Sequence, residues 1–447
     1  AYRRTLLDAA RAAAAAGDSE RLARAVLANT RGYPTPGSVD AERVAMLEAA
    51  LAALPPTDSA NRARVLGTLV CELAYSDQYD RIRALDREAI GMARRLNDPT
   101  ALAFIFRTRF VAIWTPDAHA ERLTATAEYI VLADRLSDPY DRWCAHIHRM
   151  HTLLMAADRD GCERELDALE RIANDLGQPT LRWLLTRCQS LLALVAGRTD
   201  EAERLFTESY EIGRATGQPD ALVLYGAQLW PTRLIQGRIA EIEPLLDQTL
   251  AHPHTPRQFR STISRYYCSL GRIDDARRLL AEAVARDFAD NPYVLTWLTE
   301  MTAWARTAAE VNDPVAAAAL YRRLAPWHDQ VESNGTTSNG GVALYLGLLA
   351  TTLGRLDDAD AHFAEASSVH GRLRAPYWSA QTDIDWARML LQRDRPGDAA
   401  RARSLLERAL AAADQFGFAG LERIAHRLSL GNVASETVAR MPDREGV

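Results

Sequence analysis

The chain has 447 residues, a net charge of −6 and a hydrophobic fraction of 48%. This composition is typical of a folded protein, and the acidic balance argues against a surface built for nucleic acid. All 53 basic residues are arginines, which excludes chemistry that needs a lysine, such as a phosphate-binding P-loop or a Schiff base.

The first 56 residues predict irregular helices. The alanine run near the N-terminus is short and is flanked by arginine and aspartate, so it predicts an amphipathic helix and not a signal peptide. This helix has the pattern of the second half of an earlier repeat, and we expect the chain to be a fragment or a repeat-only relative. We expect residues 1–56 to end that repeat, residues 57–430 to form a repeat superhelix, and residues 431–447 to form a polar tail.

A period of about 40 residues follows. Proline favours the first turn of a helix, so prolines at this spacing predict four helix starts, at Pro99, Pro139, Pro179 and Pro219. Halfway between them lies a second series of turns, at Asp77, Asp117, Ala157, Gly197 and Gly237. Later turns are predicted at Gly271, at Asn312-Asp313-Pro314, at Gly354 and at Arg395-Pro396-Gly397.

Three ten-residue phrases are nearly the same: GRTDEAERLF from Gly197, GRIDDARRLL from Gly271 and GRLDDADAHF from Gly354. A single helix pair cannot bury its apolar stripe, whereas stacked neighbours can. The sequence therefore predicts an all-α fold, a tetratricopeptide-like α-solenoid of roughly nine antiparallel helix pairs. Any β-sheet of three or more strands would contradict this.

The unit around Gly354 resembles a tetratricopeptide repeat in Gly347, Ala359, Phe363 and Ala366. The small residues are expected to let the two helices approach closely, with Phe363 beside them. We expect the equivalent alanines of other units, Ala202 and Ala276, to lie at the same kind of contact.

A longer resemblance covers nearly the whole chain. The stretches from Ala28, from Ala112 (AIWTPDAHAERL) and from Leu344 (LYLGLLATTLGRLDDADAHFAEA) resemble the helical-repeat region of large actinobacterial signalling ATPases. These are LuxR-type and maltose-activator-like regulators and their nucleotide-cyclase fusions. The resemblance implies a repeat module that receives an inducer or a partner, while an attached ATPase or effector module does the chemistry. The chain itself has no Walker motif, cyclase segment or clear helix-turn-helix.

Two segments suggest chemistry but favour simpler interpretations. CAHIHRMH places Cys144, His148 and His151 on one helical stripe, yet the positions 40 residues later are ordinary contact positions, and no fourth metal ligand is visible. ESNGTTSNGG, from Glu332 to Gly341, is rich in glycine but has no lysine, so it predicts a flexible connection, with a partner-binding loop as the alternative. No catalytic motif is found, and we predict no catalytic residue, metal or cofactor.

The concave face, lined by the first helix of each pair, is the predicted ligand site. Its inward positions include the candidates Arg107, His148, His151, Arg187 and Gln228. Arginines suit a carboxylate or phosphate, and His148 would add a pH-sensitive donor. The alternative is that these arginines pair with acids on neighbouring helices and are structural.

These observations favour a ligand- or partner-sensing module of a cytoplasmic signalling ATPase or transcriptional regulator, without catalysis of its own. Its expected partner is its own effector module, another protein, or a small-molecule or peptide inducer, without direct contact to nucleic acid or membrane. Two alternatives stay open: a free-standing tetratricopeptide scaffold that binds a peptide or protein, and an enzyme or binder that uses the superhelix interior for a small molecule. Five dispersed cysteines fit a reducing cytosol.

Overall fold

The computed structural model describes residues 2–28, 37–252, 255 and 259–439. Over these residues the fold is all-α, with 22 α-helices and one two-stranded hairpin, so the described part contains no sheet of three strands. It begins with α1 (Tyr2–Ala15), α2 (Ser19–Ala28) and α3 (Ala41–Ala53).

Nine helix pairs follow in the described chain between residues 60 and 416, in agreement with the predicted solenoid. We call the first helix of each pair helix A and the second helix B. The pairs are α4 (Ala60–Glu72) and α5 (Tyr79–Arg95), α6 (Pro99–Arg109) and α7 (His119–Leu136), α8 (Pro139–Met155) and α9 (Arg159–Leu176), α10 (Pro179–Val195) and α11 (Thr199–Ala215), α12 (Ala221–Ile235) and α13 (Glu243–Ala251), α14 (Phe259–Ser269) and α15 (Ile273–Ala285), α16 (Trp297–Glu310) and α17 (Pro314–Leu324), α18 (Val342–Thr352) and α19 (Leu356–Leu373), and α20 (Pro376–Arg393) and α21 (Asp398–Phe416).

Helix α22 (Ala419–Ala439) closes the array. It continues well into the predicted polar tail, and residues 440–447 lie outside the described residues. Short 3₁₀ turns cover Pro116–Ala118, Ile239–Ile242 and Ala325–Trp327. No helix in the described residues combines the length and the apolar character needed to cross a membrane.

The proline-marked starts are confirmed at Pro99, Pro139 and Pro179, each at the first turn of its helix. Asp98 accepts hydrogen bonds from the first free backbone N–H groups of α6, as an N-cap does. The predicted start at Pro219 is wrong, because Pro219 and Asp220 form a turn and α12 begins at Ala221.

Most of the predicted turns close with a left-handed residue. Gly197, Gly271 and Gly354 have φ values of 76°, 78° and 71°, which glycine adopts without a Cβ penalty. The turn near Asp117 is built differently, on the 3₁₀ turn that begins at Pro116. The period thus holds best from the third pair onward.

The contacts between helix A and helix B are as predicted. Ala202, Ala276 and Ala359 are all fully buried. A Cβ atom on Gly347 would lie 2.7 Å from the ring of Phe363, so only glycine allows this close approach.

The helix pairs wind into a superhelix whose second turn rests on the first. The Tyr293 hydroxyl donates to Asp117 over 3.0 Å, and the Gln330 amide donates to the Pro116 carbonyl over 2.9 Å. Near the C-terminus, Arg423 reaches the Gly237 carbonyl at 3.4 Å. These pairs are 176, 214 and 186 residues apart, so about five 40-residue pairs complete one turn.

A hairpin connects α17 to α18. Its strands β1 (Val331–Glu332) and β2 (Gly340–Gly341) pair antiparallel. The loop between them, residues 333–339, points into the superhelix, and most of its residues are buried. The interior is therefore filled on one side by irregular backbone, which leaves a cavity beside it.

Candidate functional site: the superhelix interior

The cavity has a volume of about 930 Å³ and is lined by the A helices of six consecutive pairs, from α6 to α16, together with the hairpin loop. This confirms that the inward face of the described superhelix is built from A helices. Its wall is mainly aromatic and aliphatic, including Phe110, Trp114, Trp143, Leu184, Trp230 and Tyr266.

The hairpin loop is held by its own polar groups. The Asn334 side chain accepts from the backbone N–H groups of Thr336 and Thr337 at 3.0 and 2.9 Å, which forms a tight turn. Gly335 carries the turn against Trp114, whose ring would lie 3.0 Å from a Cβ at that position. The prediction of a flexible connection is wrong, because these internal hydrogen bonds allow a polar segment to be buried.

The base of the hairpin is fixed by Glu332 and His370. Buried Glu332 accepts hydrogen bonds from the Thr299 hydroxyl and the Asn339 backbone N–H, and burial raises the pKa of Glu332 to about 7. The Gly341 N–H donates to Nε2 of His370 over 2.7 Å. Burial lowers the pKa of His370 to about 3, so the ring stays neutral and can accept that hydrogen bond.

Arg107 lines the cavity, but its charge is already paired. Its guanidinium donates to Asp141 over 2.6 Å, and the Tyr129 hydroxyl donates to the same carboxylate over 2.7 Å. The side chain also lies over the rings of Phe104 and Tyr140. These contacts match the structural alternative for Arg107, in which the arginine pairs with an acid on a neighbouring helix.

His148 and His151 also line the cavity. His148 stacks on Phe110 with ring centroids 3.9 Å apart, and His151 lies with Nε2 3.8 Å from the Cys188 sulfur. Burial, and then the charge of Arg122, lowers the pKa of His148 to about 3, and burial lowers the pKa of His151 as well. The expectation of a pH-sensitive donor at His148 is therefore wrong, since the ring is neutral throughout the physiological range.

The thiols beside these rings are protonated. Burial raises the pKa of Cys144 to about 12 and that of Cys188 to about 11. Among the described residues, no group of three histidine, cysteine or carboxylate side chains is placed to hold a metal.

Arg187 is the predicted site residue with the most available hydrogen-bonding capacity. It lines the cavity and lies over Trp183, with Cζ 5.9 Å from the ring centroid. Its Nε has no hydrogen-bond partner, and no carboxylate of the described residues forms an ion pair with its guanidinium. Gln228, by contrast, is buried behind the wall, where its amide donates to the Arg187 carbonyl at 3.4 Å and to the Thr336 carbonyl at 3.1 Å.

Sequence reasoning missed three polar groups at or behind this wall. Arg265 donates to Asn339, and Glu300 accepts from Thr296 and Asn291 at 2.6 and 2.8 Å. Burial raises the pKa of Glu300 to about 7, so this carboxyl is mostly neutral below that pH. The third is Arg122, which is fully buried. The 40-residue period places Arg122 opposite Ala202, and that mismatch was the one available signal.

A second groove, of about 790 Å³, lies between α9, α10 and α11. Its charged residues pair with one another: Arg182 with Glu208 at 3.2 Å, and Arg198 with Glu201 at 2.5 Å. Both pairs are largely exposed to solvent, as is typical of a helix surface. The interior cavity is therefore the stronger candidate site.

Comparison with known proteins gives a match on one helix pair. Residues 259–286, which span α14 and α15, match a tetratricopeptide repeat. This confirms the repeat predicted around Gly271. No curated protein matches the chain.

Among solved structures, a "circular tandem repeat protein with novel repeat topology and enhanced subunit contact surfaces" aligns with 98% of this chain and 97% of its own. The sequence identity is 14% and the TM-score is 0.17, which is too low to support an argument. The fold rests on the helix pairs described above, and kinship with actinobacterial signalling ATPases stays a prediction.

Proposed function

We propose that the chain is a non-catalytic binding scaffold of the tetratricopeptide type whose ligand site is the interior cavity. The observation that carries this proposal is the cavity itself, an apolar space of about 930 Å³ with a few polar groups on its wall. Sites for compact ligands commonly have volumes of roughly 300–1,000 Å³ and this kind of lining.

The tetratricopeptide match supports a role in assembly. Repeats of this type generally mediate contacts between proteins, and residues 259–286 match one. The longer resemblance supports a finer proposal, in which the scaffold is the sensing part of a cytoplasmic signalling ATPase or transcriptional regulator. The five cysteines of the chain are free thiols, which is compatible with a reducing compartment.

The state of the polar groups supports a binding role over a catalytic one. Neutral His148 and His151 have no carboxylate among their recorded partners to activate them as bases. Cys188, beside His151, keeps its proton because burial raises its pKa. General-base and nucleophilic catalysis both need a group whose pKa is poised for proton transfer.

A test is to fill the cavity from Gly226, which lies in the middle of α12 and lines the cavity. A Cβ at this position meets nothing within 4 Å, so Gly226→Trp places its ring in the open space without backbone strain. Gly371→Trp is the matched control, because Gly371 is also helical and open but lies exposed on α19.

We expect ligands found in a thermal-shift screen of small molecules and short peptides to raise the melting temperature of the wild type and of Gly371→Trp. They should lose most of that effect on Gly226→Trp. Hits that stabilise Gly226→Trp as well as the wild type would place the binding site elsewhere.

A further inference from the structure

Arg187 is a cation with spare donors at the cavity wall. It follows Leu181 and Leu184 at intervals of three residues on α10, so the three side chains share one inward stripe, and all three line the cavity. The Nε group has no hydrogen-bond partner, and the described residues supply no carboxylate in ion-pair contact. A guanidinium offers five N–H donors, so this position lacks an acceptor.

The neighbouring polar side chains are already engaged with protein groups. Gln228 donates to backbone carbonyls, Asn334 closes the hairpin turn, and Glu300 accepts from Thr296 and Asn291. Arg107 is paired with Asp141. An extended peptide would bring one backbone donor and one acceptor per residue into this space, and these side chains have little capacity left for them.

The remainder of the wall is suited to an apolar body. Trp143, Ile147, Trp230 and Tyr266 face the same cavity as Arg187. Large aromatic side chains contribute most of the contact area and favour flat or bulky apolar groups. A ligand complementary to the whole cavity therefore has one acceptor-rich end and an otherwise apolar surface.

We propose that the cavity selects a small amphipathic monoanion, a molecule with a large aromatic or aliphatic body and a single carboxylate or sulfonate group that Arg187 binds. This inference rests on the proposed function and names the ligand class for the same cavity. The anion supplies the acceptor that Arg187 lacks, and charge-assisted hydrogen bonds to a guanidinium are among the strong ones.

The test uses two fluorescent probes with the same aromatic body. 8-Anilinonaphthalene-1-sulfonate carries one negative charge, and N-phenyl-1-naphthylamine is its neutral counterpart. We expect the sulfonate to bind one site per chain at least about tenfold more tightly than the neutral probe, which corresponds to one good charge-assisted contact.

Arg187→Met keeps the apolar stem and should remove that preference, because the affinity for the sulfonate falls to that of the neutral probe. Arg182→Met is the matched control on the same helix, since Arg182 is 65% exposed and pairs with Glu208 outside the cavity. It should behave like the wild type.

Equal affinities for the two probes in the wild type would overturn the inference without any variant. Unchanged selectivity in Arg187→Met would overturn it too. So would binding of an apolar tripeptide with a free carboxylate when the sulfonate does not bind, since this would assign the cavity to a peptide. If both probes bind equally and Gly226→Trp blocks both, the cavity remains the binding site and the anion selectivity alone is wrong.

Discussion

Replacing Arg107 with alanine lowers the melting temperature of the chain, whereas the same change at Arg187 leaves it nearly unchanged. Arg107 and Asp141 form an ion pair with side chains only 19% and 10% exposed. Removal of the arginine leaves a buried carboxylate with the Tyr129 hydroxyl as its remaining donor. Breaking a buried pair in this way costs roughly 2–4 kcal/mol of unfolding free energy.

Arg187 has no such carboxylate to abandon among the described residues, so its loss removes little beyond the contact with Trp183. Denaturant unfolding of the two single variants measures the difference directly. If both variants lose the same stability, Arg187 is structural as well, and its assignment to the ligand site fails. If neither does, the Arg107–Asp141 pair contributes nothing measurable.

Replacing Arg122 with methionine raises the stability of the chain. Arg122 is fully buried between the rings of Phe110 and Trp114, with Cζ 4.8 and 4.6 Å from their centroids. Its recorded hydrogen-bond acceptors are the Met155 sulfur and the Thr152 hydroxyl, and its Nε has none. Burial lowers the pKa of Arg122 to about 9, so it is still a cation at neutral pH.

A buried charge without a counter-ion is costly, and an apolar side chain of similar length avoids that desolvation. We expect Arg122→Met to gain roughly 1–4 kcal/mol, measured as an increase in the unfolding midpoint. Arg142→Met is the control, since Arg142 is 40% exposed and pairs with Asp134, and should change little. A destabilised Arg122→Met would mean that the cation–π contacts outweigh the desolvation cost.

The sequence predicted the frame because the frame is repeated. Pro99, Pro139 and Pro179 recur at the same point of each unit, and small residues such as Ala202 and Ala359 recur where two helices touch. Pro219 deviates because one more turn precedes α12. The inward placement of Arg187 also followed from the period.

The contents of the interior do not repeat, and sequence reasoning failed there. The hairpin loop reads as a solvated connection, yet Asn334 and its neighbours satisfy one another and the loop is buried. The pairing of Arg107 depends on Asp141, 34 residues away on the next A helix. The neutral state of His148 depends on Phe110 and on burial, which no local pattern shows.

The most direct test of the interior site is to locate a bound ligand in a crystal. Crystals soaked with a brominated naphthalene carboxylate would show the bromine by anomalous scattering. We predict one strong bromine peak inside the superhelix, among α8, α10 and α12, with the carboxylate against Arg187. A peak in the groove between α9, α10 and α11 with the interior empty would contradict the account.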